Sequence, residues 1–333
     1  MATLEVAIFL DIIGPLKISS RPPGLEGFEN RSGPSLVTKG INSMEIFPLL
    51  LVITSALIHA FWNMLAKKGL DPLSFLWWTL TLSLVIFSFF FFLLGYQSVS
   101  FPSRGFIFIF FSALLHAIYF TSLGLIYDRG DLSLVYPIAR SAPIFVLIWA
   151  IWFLGESPSL SGILGILIVV FGAYVIGFPT FSVNLFIRPI TLLKDRSYQL
   201  AWLTALITSF YSVNDKVGVH YVPPFVYLFF ANILMCFIVT PIVVMRKRGI
   251  FFREWAKNKT LIMLGSIMIP ASYLLTLYAM RISRVSYIVA VRHVSVVFAV
   301  LLGSLILKEK HRKMRFLASL CIFAGVLLIG YLG

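Results

Sequence analysis

Arg140 and the Arg292–His293 pair are the side chains here best suited to chemistry with an anion. Each sits in a run that is otherwise apolar: YPIARSAPIFVLIWAIWFLGE (136–156) and SYIVAVRHVSVVFAVLLG (286–303). A guanidinium does not shed its proton. A charge at the middle of a membrane helix costs at least about 2.5–3.5 kcal/mol on insertion scales. Each arginine must therefore meet an anion, carbonyl oxygens or water. Its planar fork fits a carboxylate or phosphate through two parallel hydrogen bonds.

Other polar side chains recur at helical spacing inside apolar runs. His59, Trp62 and Asn63 share one face, as do Ser112, His116 and Tyr119, and Tyr136 and Arg140. Ser209, Ser212 and Lys216 form a stripe beside Asn214 and Asp215. The expected substrate-binding set is Arg140, Tyr136, Arg292, His293, His59, Asn63, His116 and Lys216. Structural roles compete for several of these. His59 and His116 could hydrogen-bond neighbouring helices, and Trp62 could simply pack. Lys67 at a helix end could reach the headgroups. Lys216 could pair with Asp215 or a carbonyl. Asp215 could neutralise Arg292 or carry a coupling proton. Asp128 and Asp131 could reach Arg140 if its side chain turns back. Glu156 and Glu309 each precede an apolar run, where a carboxylate suits free helix N–H groups, with Ser157 and Ser159 as further cap candidates.

These residues need helices to position them. Of 333 residues, 59% are hydrophobic and 12% charged, about half the charge of a soluble domain. Apolar blocks approach the ~20 residues that cross a bilayer. Ten spans are expected, near 46–66, 73–95, 105–126, 132–154, 160–178, 199–217, 225–245, 260–280, 286–307 and 314–332. Lys and Arg gather after the odd-numbered spans, as in Lys67, Lys68, Arg246, Lys247, Arg248, Lys308 and Lys310. That bias places those loops in the cytoplasm and Gly333 outside. It also explains the net charge of +14 without nucleic acid. Residues 1–43 lack periodicity and are expected to be a disordered tail or a misassigned start ahead of Met44.

The chain repeats itself. ALIHAFWNMLAKKG (56–69) lies over ALITSFYSVNDKVG (205–218), and FLGESPSLSGILGILIVVFGAYVIG (153–177) over ILKEKHRKMRFLASLCIFAGVLLIG (306–330). Glu156 then falls on Glu309, Gly172 on Gly325, and Arg140 on His293, with Ala139 on Arg292. The expected units are 44–178 and 199–333, joined by an interfacial linker at 179–198. Five spans per unit invert the second relative to the first, the symmetry of carriers that open to either side in turn. The fold expected is an all-α integral membrane protein of ten transmembrane helices in two inverted five-helix repeats.

The stretches 133–177 and, more weakly, 286–330 resemble the EamA family of the drug/metabolite transporter superfamily, over about residues 45–332. Lys308 departs from the family's Gly, and the second half lacks the equivalents of Pro137 and Pro143. The resemblance implies a central cavity lined by spans 1, 3, 4, 6, 8 and 9, alternating access and no cofactor.

The function expected is secondary transport of a small, anionic metabolite, in a cell (inner) membrane. The alternative is a membrane-embedded lipid-modifying enzyme. Such an enzyme needs a cluster of acids, or His with acids, near the interface, and this sequence has no HxxxH motif and only 13 acidic residues. No P-loop for a pump and no channel filter are present, and Gly162, Gly165 and Gly172 suit close helix packing. Cys236 and Cys321 lie in apolar blocks without a CxxC or Cys/His cluster, so neither a metal nor a disulfide framework is expected. The expected partners are a small-molecule substrate, the lipid bilayer and, as a candidate, a second copy of the chain.

Overall fold

The computed structural model describes residues 44–128, 138–176, 195–306 and 312–333. The 1–43 segment, Tyr136, Asp131, Glu309 and most of the 179–198 linker lie outside them. The described residues hold helices and no strand. In chain order the helices are α1 (Ile46–Ala66), α2 (Pro72–Leu93), α3 (Arg104–Asp128), α4 (Ala142–Leu154), α5 (Leu160–Val175), α6 (Arg196–Tyr221), α7 (Pro224–Ile282), α8 (Val285–Val291), α9 (Val294–Ile306) and α10 (Arg312–Leu332).

Seven segments among the described residues are long and apolar enough to cross a membrane. They are α1, α2, Arg104–Ser122, Pro224–Met245, Gly249–Ile282, Val285–Leu302 and Met314–Leu332. Helices α4 and α5 are apolar but shorter, and α6 carries Asp215 and Lys216. Seven of the ten expected spans thus meet the length and hydropathy of a crossing.

Local chemistry sets the helix ends. Asp71 accepts the Ser74 N–H at 2.8 Å just ahead of Pro72. Ser159, an expected cap, accepts the Gly162 N–H at 2.9 Å and starts α5. Asp195 accepts the Ser197 N–H at 2.7 Å and starts α6. Gly155 ends α4 at φ 65°, a left-handed turn that glycine adopts freely.

Residues 246–259, expected as a loop, are helical. The stretch FREWAKNK holds good helix formers and no proline, and Asn258 donates to Glu254 one turn earlier at 2.6 Å. The α7 run is not straight. Trp77 donates to Thr240 at 2.8 Å, while Gly265 packs against Thr79 and Phe75. Residues 240 and 265 would stand about 38 Å apart on a straight helix. The run therefore folds back between them, and both arms meet α2.

Apolar surface gains little by facing a neighbour instead of lipid, so close contacts and hydrogen bonds hold membrane helices together. Helix α5 packs on α10, α7 on α1 and α2, α3 on α6, and α9 on α1. A side-chain carbon at Gly172 would lie 2.8 Å from the Ala318 carbonyl oxygen, and one at Gly165 2.8 Å from that of Gly325. In the repeat register Gly172 falls on Gly325 and Gly165 on Ala318. The two contacts therefore exchange places, as a pseudo-twofold between the halves requires. Between α1 and α7, Ser55 Oγ donates to the Ser272 carbonyl at 2.6 Å and lies 2.8 Å from Thr276 Oγ1. Ser272 Oγ returns a bond to the Ser55 carbonyl at 2.9 Å. Large apolar side chains such as Phe89, Phe92, Phe237, Met263 and Phe323 face outward, as lipid contact requires.

Candidate functional site

Two helix breaks, equivalent in the repeat, flank the site. Arg140 and Ser141 form a turn before α4, closed by the Ser141 N–H to the Ile138 carbonyl at 2.9 Å. Arg292 and His293 separate α8 from α9, with the Val296 N–H reaching the His293 carbonyl at 2.9 Å. The sequence pattern puts Arg140 two turns inside an apolar helix. It instead precedes α4, because Pro143 occupies the helix's first turn, where a missing N–H is tolerated. His293 ties the breaks together: its Nε2 lies 3.1 Å from the Arg140 carbonyl oxygen and its Nδ1 3.0 Å from that of Val289.

Glu156 fixes the second break from the other half. The left-handed Gly155 turns the chain so that Glu156, buried, reaches the start of α8. Its Oε1 accepts the Val285 N–H at 2.7 Å, and its Oε2 accepts the Ser286 hydroxyl at 2.6 Å and N–H at 3.4 Å. The carboxylate caps a helix, as expected, but the helix is α8 of the second half rather than the following α5.

A cavity opens beside the second break. Its empty space is about 1080 Å³, counting the mouth. Apolar and aromatic side chains from α1, α2, α3, α6 and α7 form most of its wall, including Trp62, Trp77, Tyr119, Phe120 and Tyr211. Arg292 brings a fixed positive charge to this wall. Its Nη2 lies 3.3 Å from His59 Nδ1, its guanidinium carbon 5.3 Å from the Tyr273 ring centre, and its buried Nε has no hydrogen-bond partner. Trp62 also donates to His59 Nδ1, at 3.1 Å. That nitrogen accepts from both neighbours, so His59 carries its proton on Nε2.

Behind the wall lies Asp215, fully buried. Tyr227 donates to its Oδ1 at 2.7 Å, and Tyr273 donates a short hydrogen bond to its Oδ2. Both tyrosines line the cavity. They come from the two arms of α7, which only the folded-back run can bring to one carboxylate. His116 lies tilted against Tyr211 with ring centres 4.1 Å apart and meets Tyr273 edge-on at 5.1 Å.

Of the expected binding set, the cavity wall takes His59, His116 and Arg292. Arg140, His293, Asn63 and Lys216 are not part of that wall, and Tyr136 lies outside the described residues. Asn63 donates to the His59 carbonyl at 2.8 Å within its own helix. Lys216 is buried and donates to the Met280 and Ser283 carbonyls at 2.6 and 2.8 Å. It clamps the carboxyl end of α7, where a cation meets free carbonyls and the negative end of the helix dipole. Tyr211, Tyr227, Tyr273 and Trp77 also line the cavity but are absent from the set expected from sequence. One signal in the sequence points to one of them: in the repeat, Tyr211 falls on Trp62, so both halves put an aromatic ring at the same wall position.

Together the fold and site define a helical membrane protein with a polar-floored cavity between its two halves. The chain belongs to the EamA-like transporter family, whose model matches residues 46–178 and again 196–331. No curated protein matches the sequence. Among solved structures 29 chains match. One, described only as "Crystal structure of protein", superposes with a TM-score of 0.65 at 14% identity, covering 84% of this chain and 95% of that one. That likeness is one of fold.

Proposed function

We propose that the protein is a secondary carrier that moves a small anionic metabolite across a cell (inner) membrane by alternating access, its ten spans forming two inverted five-helix halves. The observation that carries this reading is Arg292: a permanent cation on the cavity wall, with a buried Nε and no ion pair among the described residues. A guanidinium on a cavity wall, with no carboxylate in direct contact among the described residues, is a site waiting for an oxyanion. The aromatic walls suit an apolar body attached to that anion. Twofold packing of α5 on α10 supports the exchange of conformations between halves that alternating access needs. Helix breaks at 140–141 and 292–293 offer each half a hinge, the second of them beside the cavity.

The test has two stages. Small carboxylates and phosphates are screened for those that raise the purified protein's melting temperature, since a ligand of the folded state stabilises it. The strongest is then followed into proteoliposomes. Concentrative or exchange flux that Arg292→Ala abolishes supports the reading; flux unchanged in Arg292→Ala contradicts it.

A further inference from the structure

We propose that Asp215 is a proton-carrying site linked through Tyr273 to the occupancy of Arg292, so that an anion and a proton enter the cavity together. The proposal rests on the carrier reading above and names its coupling ion. It starts from a hydrogen-bond count. Tyr227 has one hydroxyl proton and two acceptors, Asp215 Oδ1 at 2.7 Å and the Phe108 carbonyl at 3.0 Å. The Asn214 amide lies within reach of the same three oxygens, at 2.9 Å from Phe108 O, 3.2 Å from Asp215 Oδ1 and 3.1 Å from the Tyr227 hydroxyl.

This set of atoms accommodates both states of the carboxyl group. With Asp215 ionised, Tyr227 and Tyr273 donate to it, and Asn214 serves the Phe108 carbonyl. With a proton on Oδ1, Asp215 donates to the Tyr227 oxygen, and Tyr227 turns its own O–H to Phe108. Every buried polar atom keeps a partner in both states, and no heavy atom moves. A carboxylate built only for structure needs no such alternative acceptor.

Access and coupling follow from the same tyrosines. A hydronium ion in the cavity gives a proton to the oxygen of Tyr273, the partly exposed tyrosine of the pair, while Tyr273 passes its own to Asp215. At the tyrosine oxygen one O–H bond forms and one breaks, the carboxyl oxygen gains one, the hydronium loses one and is left as water, and the reverse sequence discharges the site. Tyr273 donates its hydroxyl to Asp215 and offers its ring face to Arg292 at 5.3 Å. The other titratable groups facing this cluster are His116 on α3 and Tyr211 on α6. Lys216, next in sequence, is turned to the end of α7. With Asp215 ionised, its charge and that of Arg292 balance. An anion arriving alone would leave net negative charge in a buried site, so a proton on Asp215 favours its binding, and by linkage the anion favours the proton.

Infrared difference spectra of the full chain in liposomes, taken between mildly alkaline and mildly acidic buffer without any substrate, test this. A carboxylic-acid C=O band is expected to grow on acidification, to vanish in Asp215→Asn, and to move to higher frequency in Tyr273→Phe, which removes one donor to the carboxyl. In Arg292→Gln the band is expected to change as well, since Arg292 lies over the ring of Tyr273, whose hydroxyl donates to the carboxyl. If Asp215→Asn does not fold, the Tyr273→Phe displacement assigns the band. Absence of the band, or a band indifferent to all three variants, overturns the proton site. A Tyr273-sensitive band that ignores Arg292→Gln overturns the link. Because the readout needs no substrate, its failure is separate from failure of the carrier reading, which shows as absent flux.

Discussion

At two positions where the first half carries alanine, the second half carries charge. Ala66 corresponds to Asp215 and Ala139 to Arg292 in the repeat register. The two charges form a set: an acid behind the cavity wall and a base on it, joined through Tyr273. Carrier symmetry requires the two halves to share a backbone, but nothing requires them to share a binding site. The first half supplies the frame instead. Its Glu156 caps α8, its His59 braces Arg292, and its Arg140 offers a backbone carbonyl to His293. Permanent charge toward the cavity is thus a property of the second half, held in place by polar groups of the first.

The comparison breaks most visibly at the arginines. Arg292→Ala removes the fixed charge from the wall, and loss of a charged, desolvated contact costs about 2–5 kcal/mol. Substrate binding is expected to fall at least about thirtyfold. Arg140→Ala, outside the wall, is expected to leave binding within about threefold of wild type. Side-by-side titrations of the best stabilising ligand check both. Similar losses in the two variants would restore symmetry between the halves.

Glu156→Ala is expected next. It strips the cap from α8 and leaves buried N–H groups at Val285 and Ser286 and the Ser286 hydroxyl without their acceptor. Bonds to a charged group are worth about 1.5–3 kcal/mol each, so a loss of about 3 kcal/mol is expected. Thermal melting in detergent checks this, and a variant as stable as wild type would remove Glu156 from the frame.

Lysines sharpen the comparison at smaller scale. Lys67 and Lys216 are repeat equivalents, yet Lys67 is exposed and Lys216 is buried against two carbonyls. Lys216→Met is expected to lower stability by about 2 kcal/mol. Lys67→Met is expected to change it by less than about 0.5 kcal/mol. Melting curves of the pair check the difference, and equal effects would contradict the clamp.

Much of this architecture is legible in the amino-acid pattern itself. Apolar block lengths mark the helices, and the register of 56–69 over 205–218 marks the two halves. Glycines at 165, 172 and 325 announce close helix contact because only a missing side chain admits a neighbouring backbone. Arg292, His59 and His116 announce themselves as polar groups where lipid cannot solvate them. What stays hidden depends on distance between segments. Glu156 carries a capping chemistry that any following helix could use, and its true partner lies 129 residues on. Lys216 looks as functional as Arg292 from sequence, since a cation in an apolar run is conspicuous whether it meets a carbonyl or a substrate. The tyrosines around Asp215 are invisible for the opposite reason: an aromatic ring in an apolar run reads as packing until its hydroxyl is seen to reach an acid. The helical turn-back at 246–259 escapes because its charges read as a loop, while its residues are good helix formers.

The central claim is that Arg292, not its counterpart in the other half, grips the transported anion. The direct measurement is the affinity of the best stabilising anion for Arg292→Lys and Arg140→Lys, determined in the same liposomes as flux. Lysine keeps the charge but loses the two-pronged hydrogen bond. Binding and transport are expected to be about tenfold weaker in Arg292→Lys, or about 1.4 kcal/mol, with Arg140→Lys close to wild type. Wild-type affinity in Arg292→Lys together with a tenfold loss in Arg140→Lys would contradict the claim.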